Sequence, residues 1–316
     1  MRRVGAAVAL VAAVATACSS SGTPSAAPAR HAPASTQRID ATGPVGVAVV
    51  GSTVWTVEAS AGSVVSRDAR TGRLLHRVRV GATPLRAVYD GRLLWVSVFG
   101  AGKVVAIDPR SAQIVYRVPV LGQPEGIAAA FGAIWVVRQA AHKLTRLSSN
   151  GTVGASYPLG PEPRLVASSA HDLFVADVVD GTITRIDPST GARTVSGKVC
   201  DGAQDVVDAS GTLWVACTSS DRVVGVDETT LHVTARLHVG GEPDGERIAA
   251  GALYLVATTG PTIYRVRIGP HPAIEQKRVL GKALPLEDTA NDDLVVTAGR
   301  IWVSSYAQNE MLNVPY

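Results

Sequence analysis

At 316 residues, 46% of them hydrophobic, the chain is long enough to bury a large core, and beyond its first twenty residues no apolar run approaches the length of a membrane-spanning helix. The formal net charge is +4, with 30 Lys+Arg of which five are lysine (Lys103, Lys143, Lys198, Lys277 and Lys282). No basic block or basic helix occurs, so a nucleic-acid-binding role is set aside.

The chain begins Met1-Arg2-Arg3 and continues with an apolar run from Val4 to Val14, the charged and hydrophobic parts of a secretory signal over residues 1–17. The run ends in Ala15-Thr16-Ala17-Cys18 followed by Ser19-Ser20-Ser21-Gly22, which resembles the lipobox of bacterial lipoproteins, with Ala15 where leucine is commoner. That resemblance implies lipidation of Cys18 and a protein held on the extracytoplasmic side of the cell membrane. Residues 18–35 are Ser, Ala, Pro, Gly and Thr with Arg30 and His31, a composition that cannot bury enough surface to fold and is expected to act as a tether.

From residue 36 to 316 one pattern repeats. A glycine turn runs into an aromatic-centred strand, as in Gly211-Thr212-Leu213-Trp214-Val215-Ala216, and the aromatic recurs as Trp55, Trp95, Trp135, Phe174, Trp214, Tyr254 and Trp302, with spacings of 40, 40, 39, 40, 40 and 48 residues. A period of about 40 with several short strands per unit predicts an all-β, seven-bladed propeller. The second repeat shows the four strands of a blade: Arg86 to Tyr89, Leu94 to Ser97, Val104 to Ile107 and Ile114 to Val120, separated by Asp90-Gly91, Gly100 to Gly102 and Asp108 to Ser111. Asp68, Asp108, Asp187 and Asp227 occupy one turn position in four of the repeats. An aspartate there accepts backbone N–H groups two residues on, which makes these acids structural. The aromatic rings are likewise expected to fill the space between blades.

The last repeat supplies strands at Asp293 to Thr297, Ile301 to Ser305 and Met311 to Val314, and its outer strand is missing. Gln37 to Asp40 matches the outer-strand position, so the N-terminal strand should complete the seventh blade and remove an open sheet edge. Cys200 and Cys217 fall at one rim of adjacent strands, and in an oxidising compartment they are expected to form a disulfide.

On its aromatic-Val strands (Trp95-Val96-Ser97-Val98, Trp302-Val303-Ser304-Ser305), its Ile-Asp-Pro turns and loops such as Gly122-Gln123-Pro124-Glu125-Gly126, the chain resembles the YVTN-type β-propeller proteins and, more loosely, the streptogramin lyase-like propellers. The lyase resemblance implies a magnesium-assisted elimination with a histidine base and metal-binding acids near the innermost strand of the last repeat. Leu284 to Asp293 carries acids there but no histidine, and His142 is the one loop histidine placed to face a mouth. No nucleophile elbow, phosphate loop or metal-spaced His and Cys cluster occurs elsewhere.

Loops joining one blade's outer strand to the next blade's inner strand converge on a propeller's channel, and alignment of the repeats places Arg86, Glu125, Arg164, Asp205, Asp244, Asp292 and Asp293 at that ring. The acids outnumber the bases, and the longer seventh loop adds Glu287 and Asp288. Converging carboxylates raise one another's pKa or recruit a cation, so a divalent cation, a basic small molecule or a basic peptide is the expected occupant. A solvated acidic rim paired internally with Arg86 and Arg164 is the alternative. Three functions follow: a monomeric, envelope-anchored binding module for a small molecule, peptide or envelope protein; a metal-assisted lyase-like enzyme; and an envelope scaffold.

Overall fold

The computed structural model describes residues 35–283, 291–297 and 299–316. They form seven four-stranded antiparallel sheets arranged as the blades of a propeller. The innermost strands of blades 1 to 7 are Pro44–Val50, Pro84–Tyr89, Pro124–Ala130, Pro163–Ser168, Ala203–Ala209, Pro243–Ala249 and Leu294–Thr297. Each lies beside the innermost strand of the next blade, and that of blade 7 lies beside that of blade 1, which closes the ring.

The fourth strand of blade 7 comes from the other end of the chain, as expected. Gln37–Asp40 pairs with Glu310–Pro315 in the register Gln37 to Asn313 and Asp40 to Glu310. Arg38 reinforces this edge by bonding to Glu310 and to the carbonyl of Leu280. The carbonyl of Ser35 accepts a 3.2 Å bond from Arg300, which follows the turn at Gly299, so the chain enters the domain on the face where innermost strands end.

The aromatic repeat is the glue between blades. Trp55, Trp95, Trp135, Phe174, Trp214, Tyr254 and Trp302 are all buried, and each shares an apolar cluster with the next blade. Trp55 packs with Leu94 and Val96, and Trp302 crosses from blade 7 to Val47 and Val54 of blade 1. The Trp302 indole N–H also donates to the carbonyl of Ala69 at 3.0 Å. Burying a ring of this size on both sheet faces is what lets a thin four-stranded sheet hold its neighbours.

The turn aspartates do what their position demands: Asp108 accepts the N–H of Arg110 at 2.9 Å and Asp227 that of Thr230 at 2.7 Å. Cys200 and Cys217 are bridged, with Cα atoms 6.0 Å apart, tying the end of blade 4 to the second strand of blade 5.

Candidate functional site

Six blades carry a register break near the start of the innermost strand, between Pro44 and Val47, Pro84 and Ala87, Pro124 and Ile127, Pro163 and Val166, Ala203 and Asp205, and Pro243 and Glu246. A break of this kind frees backbone N–H groups from the ladder and turns side chains toward the propeller axis. The residue at its centre is Gly46, Arg86, Gly126, Leu165, Asp205 or Gly245, and Asp293 holds the corresponding place in blade 7. The glycines answer a close approach: a Cβ on Gly46 would overlap the carbonyl of Leu85, and one on Gly126 that of Arg164. Blades carrying glycine therefore nest against neighbours carrying a charged or bulky side chain.

The freed N–H groups are satisfied by acids. Asp293 accepts from Leu294 at 2.8 Å and, across the closure, from Val47 at 3.1 Å. Asp205 accepts from Val206 at 2.8 Å and from Glu246 in the next blade at 3.1 Å. Asp244 accepts from the N–H of Asp292 at 2.7 Å, Asp292 from that of Tyr306 at 2.9 Å, and Glu246 from that of Ala216 at 3.1 Å. Ser97 accepts from the N–H of Arg86 at 3.1 Å in the same way.

Arginines bind this layer together. Arg247 reaches Asp205 at 3.3 Å and Asp293 at 2.9 Å, and Arg164 reaches Glu125 at 3.3 Å. Arg86 is 5% exposed, and its nearest carboxylate oxygen, on Asp293, stands 3.7 Å away. Among the described residues none of the three Arg86 guanidinium nitrogens has a hydrogen-bond partner. Burial alone would lower the pKa of Arg86, but Asp293, Asp244, Glu125 and Asp205 more than offset it and the guanidinium is held charged.

The carboxyls respond in the opposite sense. Burial, with the negative charges of Asp205 and Asp293, pushes Asp244 up to about 7 against the pull of Arg86. Burial likewise raises Glu246 and Asp292 well above the usual carboxylate range, and raises Asp205 despite Arg247.

Directly above this layer the channel holds a cavity of about 500 Å³ to which all seven innermost strands contribute. Its floor is Arg86, Asp205, Arg247 and Asp293, and its walls are small apolar residues such as Val47, Val88, Ala128, Val166, Val207 and Val295. The lining runs from the charged layer toward the strand ends, where Val50, Ala130, Ser168 and Ala209 are partly exposed.

The seven residues singled out from the sequence are thus gathered at one end of the channel, with two corrections. They do not rim an open mouth: Arg86, Glu125, Asp205, Asp244, Asp292 and Asp293 are buried, and Arg164 is partly so, because the acids turn inward to cap backbone N–H groups. Nor do they converge as ligands for a divalent cation, since among the described residues no group of three or more His, Cys, Asp or Glu is disposed to hold a metal ion. Glu287 and Asp288 lie outside the described residues. His142 is exposed in the loop between second and third strands of blade 3, and among the described residues no histidine lines the cavity.

Arg247 and Glu246 were missed in the sequence, although a signal was there. Arg247 stands across from Tyr254, where the other blades place Ala48, Val88, Ala128, Ala167, Val207 and Val295 across from their aromatic residue. It is the one charged residue in that column, and comparing columns rather than loops would have found it.

No protein-family model and no curated relative matches the sequence. Among solved structures, virginiamycin B lyase from Staphylococcus aureus superposes with a TM-score of 0.76 at 16% identity, covering 89% of this chain and 99% of that one. A streptogramin B lyase structure gives 0.76 at 16% identity over 88% and 96%. Hydrazine synthase of Kuenenia stuttgartiensis gives 0.73 at 16% identity over 92% and 99%. Proteins of such different activity share the architecture, so these likenesses establish the propeller fold and leave function to the site.

Proposed function

We propose that this protein is an exported, membrane-anchored binding protein whose site is the central channel. The observation that carries this reading is the cavity of about 500 Å³, apolar along its walls and charged on its floor, to which every blade contributes. Small-molecule sites have this form: a concave, largely apolar volume with a few convergent polar groups that fix orientation. Export is supported by the signal-like start ending at Cys18, and by the Cys200–Cys217 bridge, which suits an oxidising compartment.

The lyase-like alternative draws support from the fold alone, because the cavity lining supplies no histidine to act as base. A scaffold role would call for a contiguous exposed apolar patch. Of the exposed large hydrophobics, Leu74, Val115, Val153, Val195 and Ile274 are spread over the outermost strands of five different blades, Val279 shares the strand of Ile274, and Leu121, Phe131 and Val179 lie in connections between strands.

Native mass spectrometry on the protein purified from its own envelope tests the binding reading. A stoichiometric small-molecule adduct is expected for the wild type and none for Ala128→Trp, which fills the channel. An adduct retained in full by Ala128→Trp would move the site elsewhere.

A further inference from the structure

The floor of the channel cavity combines two facts that select the head group of its ligand. Arg86 lines the cavity, is 5% exposed, and has no hydrogen-bond partner on any guanidinium nitrogen among the described residues. A buried donor group left without an acceptor is costly, and a charged one more so. The site is therefore built to receive acceptor atoms at Arg86. Arg247, 35% exposed at its side chain, lies across Asp293 from Arg86 and adds donors to the same floor.

The second fact concerns the carboxylates. The two that line the cavity are already engaged on both oxygens: Asp205 accepts from two backbone N–H groups and Arg247, and Asp293 from two backbone N–H groups and Arg247. Among the described residues at this end of the channel, the buried carboxylate oxygens that lack partners belong to Glu125, Asp244 and Glu246, none of which lines the cavity. A cationic head would meet two arginines before reaching a free oxygen. An anionic head fares no better, because three arginines at this end of the channel face six carboxyl groups and leave no positive charge to spare. Burial of several of those carboxyls shifts them toward the neutral form, which balances the layer without an added ion.

We infer that the channel takes an uncharged amphiphile, with a carbonyl or amide oxygen hydrogen-bonded to Arg86 and an apolar body packed along the valine and alanine walls. This rests on the channel being the binding site and adds the class of ligand. Neither charged head is compatible with the floor: a cation lacks free acceptors, and an anion adds charge to a layer already rich in acids.

Titration calorimetry of the intact domain with octanamide, octanoate and octylamine tests this, since the three share an apolar body and differ in the head. Octanamide is expected to bind at least about tenfold more tightly than octylamine, whose ammonium cannot accept from Arg86, the ratio that one hydrogen bond to a charged donor confers, and more tightly than octanoate, whose charge adds to a layer already rich in acids. Arg86→Leu should remove that preference, and Arg86→Lys should restore part of it. Should Arg86→Leu fail to fold, the comparison of the three heads on the wild type still decides. Octanoate or octylamine binding as tightly as octanamide, with binding lost in Ala128→Trp, overturns the head assignment and leaves the channel as the site. Binding by none of the three, together with no adduct in native mass spectra, overturns both.

Discussion

Asp293, immediately before the innermost strand of blade 7, accepts the backbone N–H of Val47 on the innermost strand of blade 1, with Oδ2 3.1 Å from the nitrogen. The ring is thereby joined at the channel as well as at its outer edge, where Gln37–Asp40 pairs with the last strand. Asp293 also carries the ion pairs to Arg247 and Arg86, so closure and the charged layer depend on one side chain. Asp293→Ala should cost about 3–5 kcal/mol, the usual penalty for stripping one partner from a buried charged pair. Asp293→Asn, which keeps one acceptor oxygen, should cost less. Urea unfolding of the two variants measures the difference, and equal losses would show that the Val47 bond contributes nothing.

Truncation tests the outer closure. A chain beginning after Asp40 loses the ladder to Glu310–Pro315 and the Arg38–Glu310 pair, and exposes a sheet edge. We expect its melting midpoint to fall by about 5 °C or more, from the loss of several net hydrogen bonds of about 1 kcal/mol each. A chain beginning at Ser35 should melt with the intact protein. Identical midpoints for the two truncations would rule out a stabilising role for the N-terminal strand.

The raised carboxyls make stability depend on pH in a direction opposite to ordinary acid denaturation. Asp244 titrates near 7 in the folded protein and near about 4 when unfolded, so between these values the folded state holds the extra proton. Stability from this group is full below about 4, declines as pH rises to about 7, and is level above. Asp292 and Glu246 shift in the same direction. The turn aspartates, such as Asp108, are lowered by N–H and hydroxyl bonds and contribute the reverse slope at lower pH. Asp244→Asn should flatten the decline between about 4 and 7 and stabilise the domain at pH near 8, by at most about 4 kcal/mol for a shift of about three units. Denaturant unfolding across that pH range is the measurement, and an unchanged slope in Asp244→Asn would assign the effect to other groups.

Gly46 and Gly132 separate two reasons for glycine. A Cβ on Gly46 meets the backbone of Leu85 and would push blades 1 and 2 apart, whereas one on Gly132 meets nothing but is strained by a φ of +66°. Gly46→Ala should cost about 2–3 kcal/mol by overpacking. Gly132→Ala should cost about 1 kcal/mol through backbone strain alone. Thermal melts rank the pair, and the opposite order would deny that interblade approach sets Gly46.

The Cys200–Cys217 bridge closes a loop of sequence separation 17. Its removal by Cys200→Ser with Cys217→Ala should cost about 3 kcal/mol in the chain-entropy account. The domain beginning at Ser35 should take up no alkylating label until a reductant is added, as followed by intact mass.

Blade number, strand order and the N-terminal closing strand were legible in the sequence because each follows from a local pattern: an aromatic every 40 residues or so in all seven repeats, an aspartate turn in four of them, and one strand short at the C-terminus matched by one spare at the N-terminus. The site was legible only in part. Arg86, Asp205 and Asp293 could be placed near the axis from repeat alignment, but whether they faced solvent depended on the backbone path at the start of each innermost strand, which buries all three and turns the two aspartates onto N–H groups of neighbouring blades. That Arg247 and not Arg164 pairs with Asp205 and Asp293, that the Arg86 guanidinium is left without a hydrogen-bond partner among the described residues, and that all seven innermost strands line one cavity were decided by tertiary structure alone. These are relations between blades 40 or more residues apart in the chain, set by how far the ring draws the innermost strands together, and no local pattern encodes that distance.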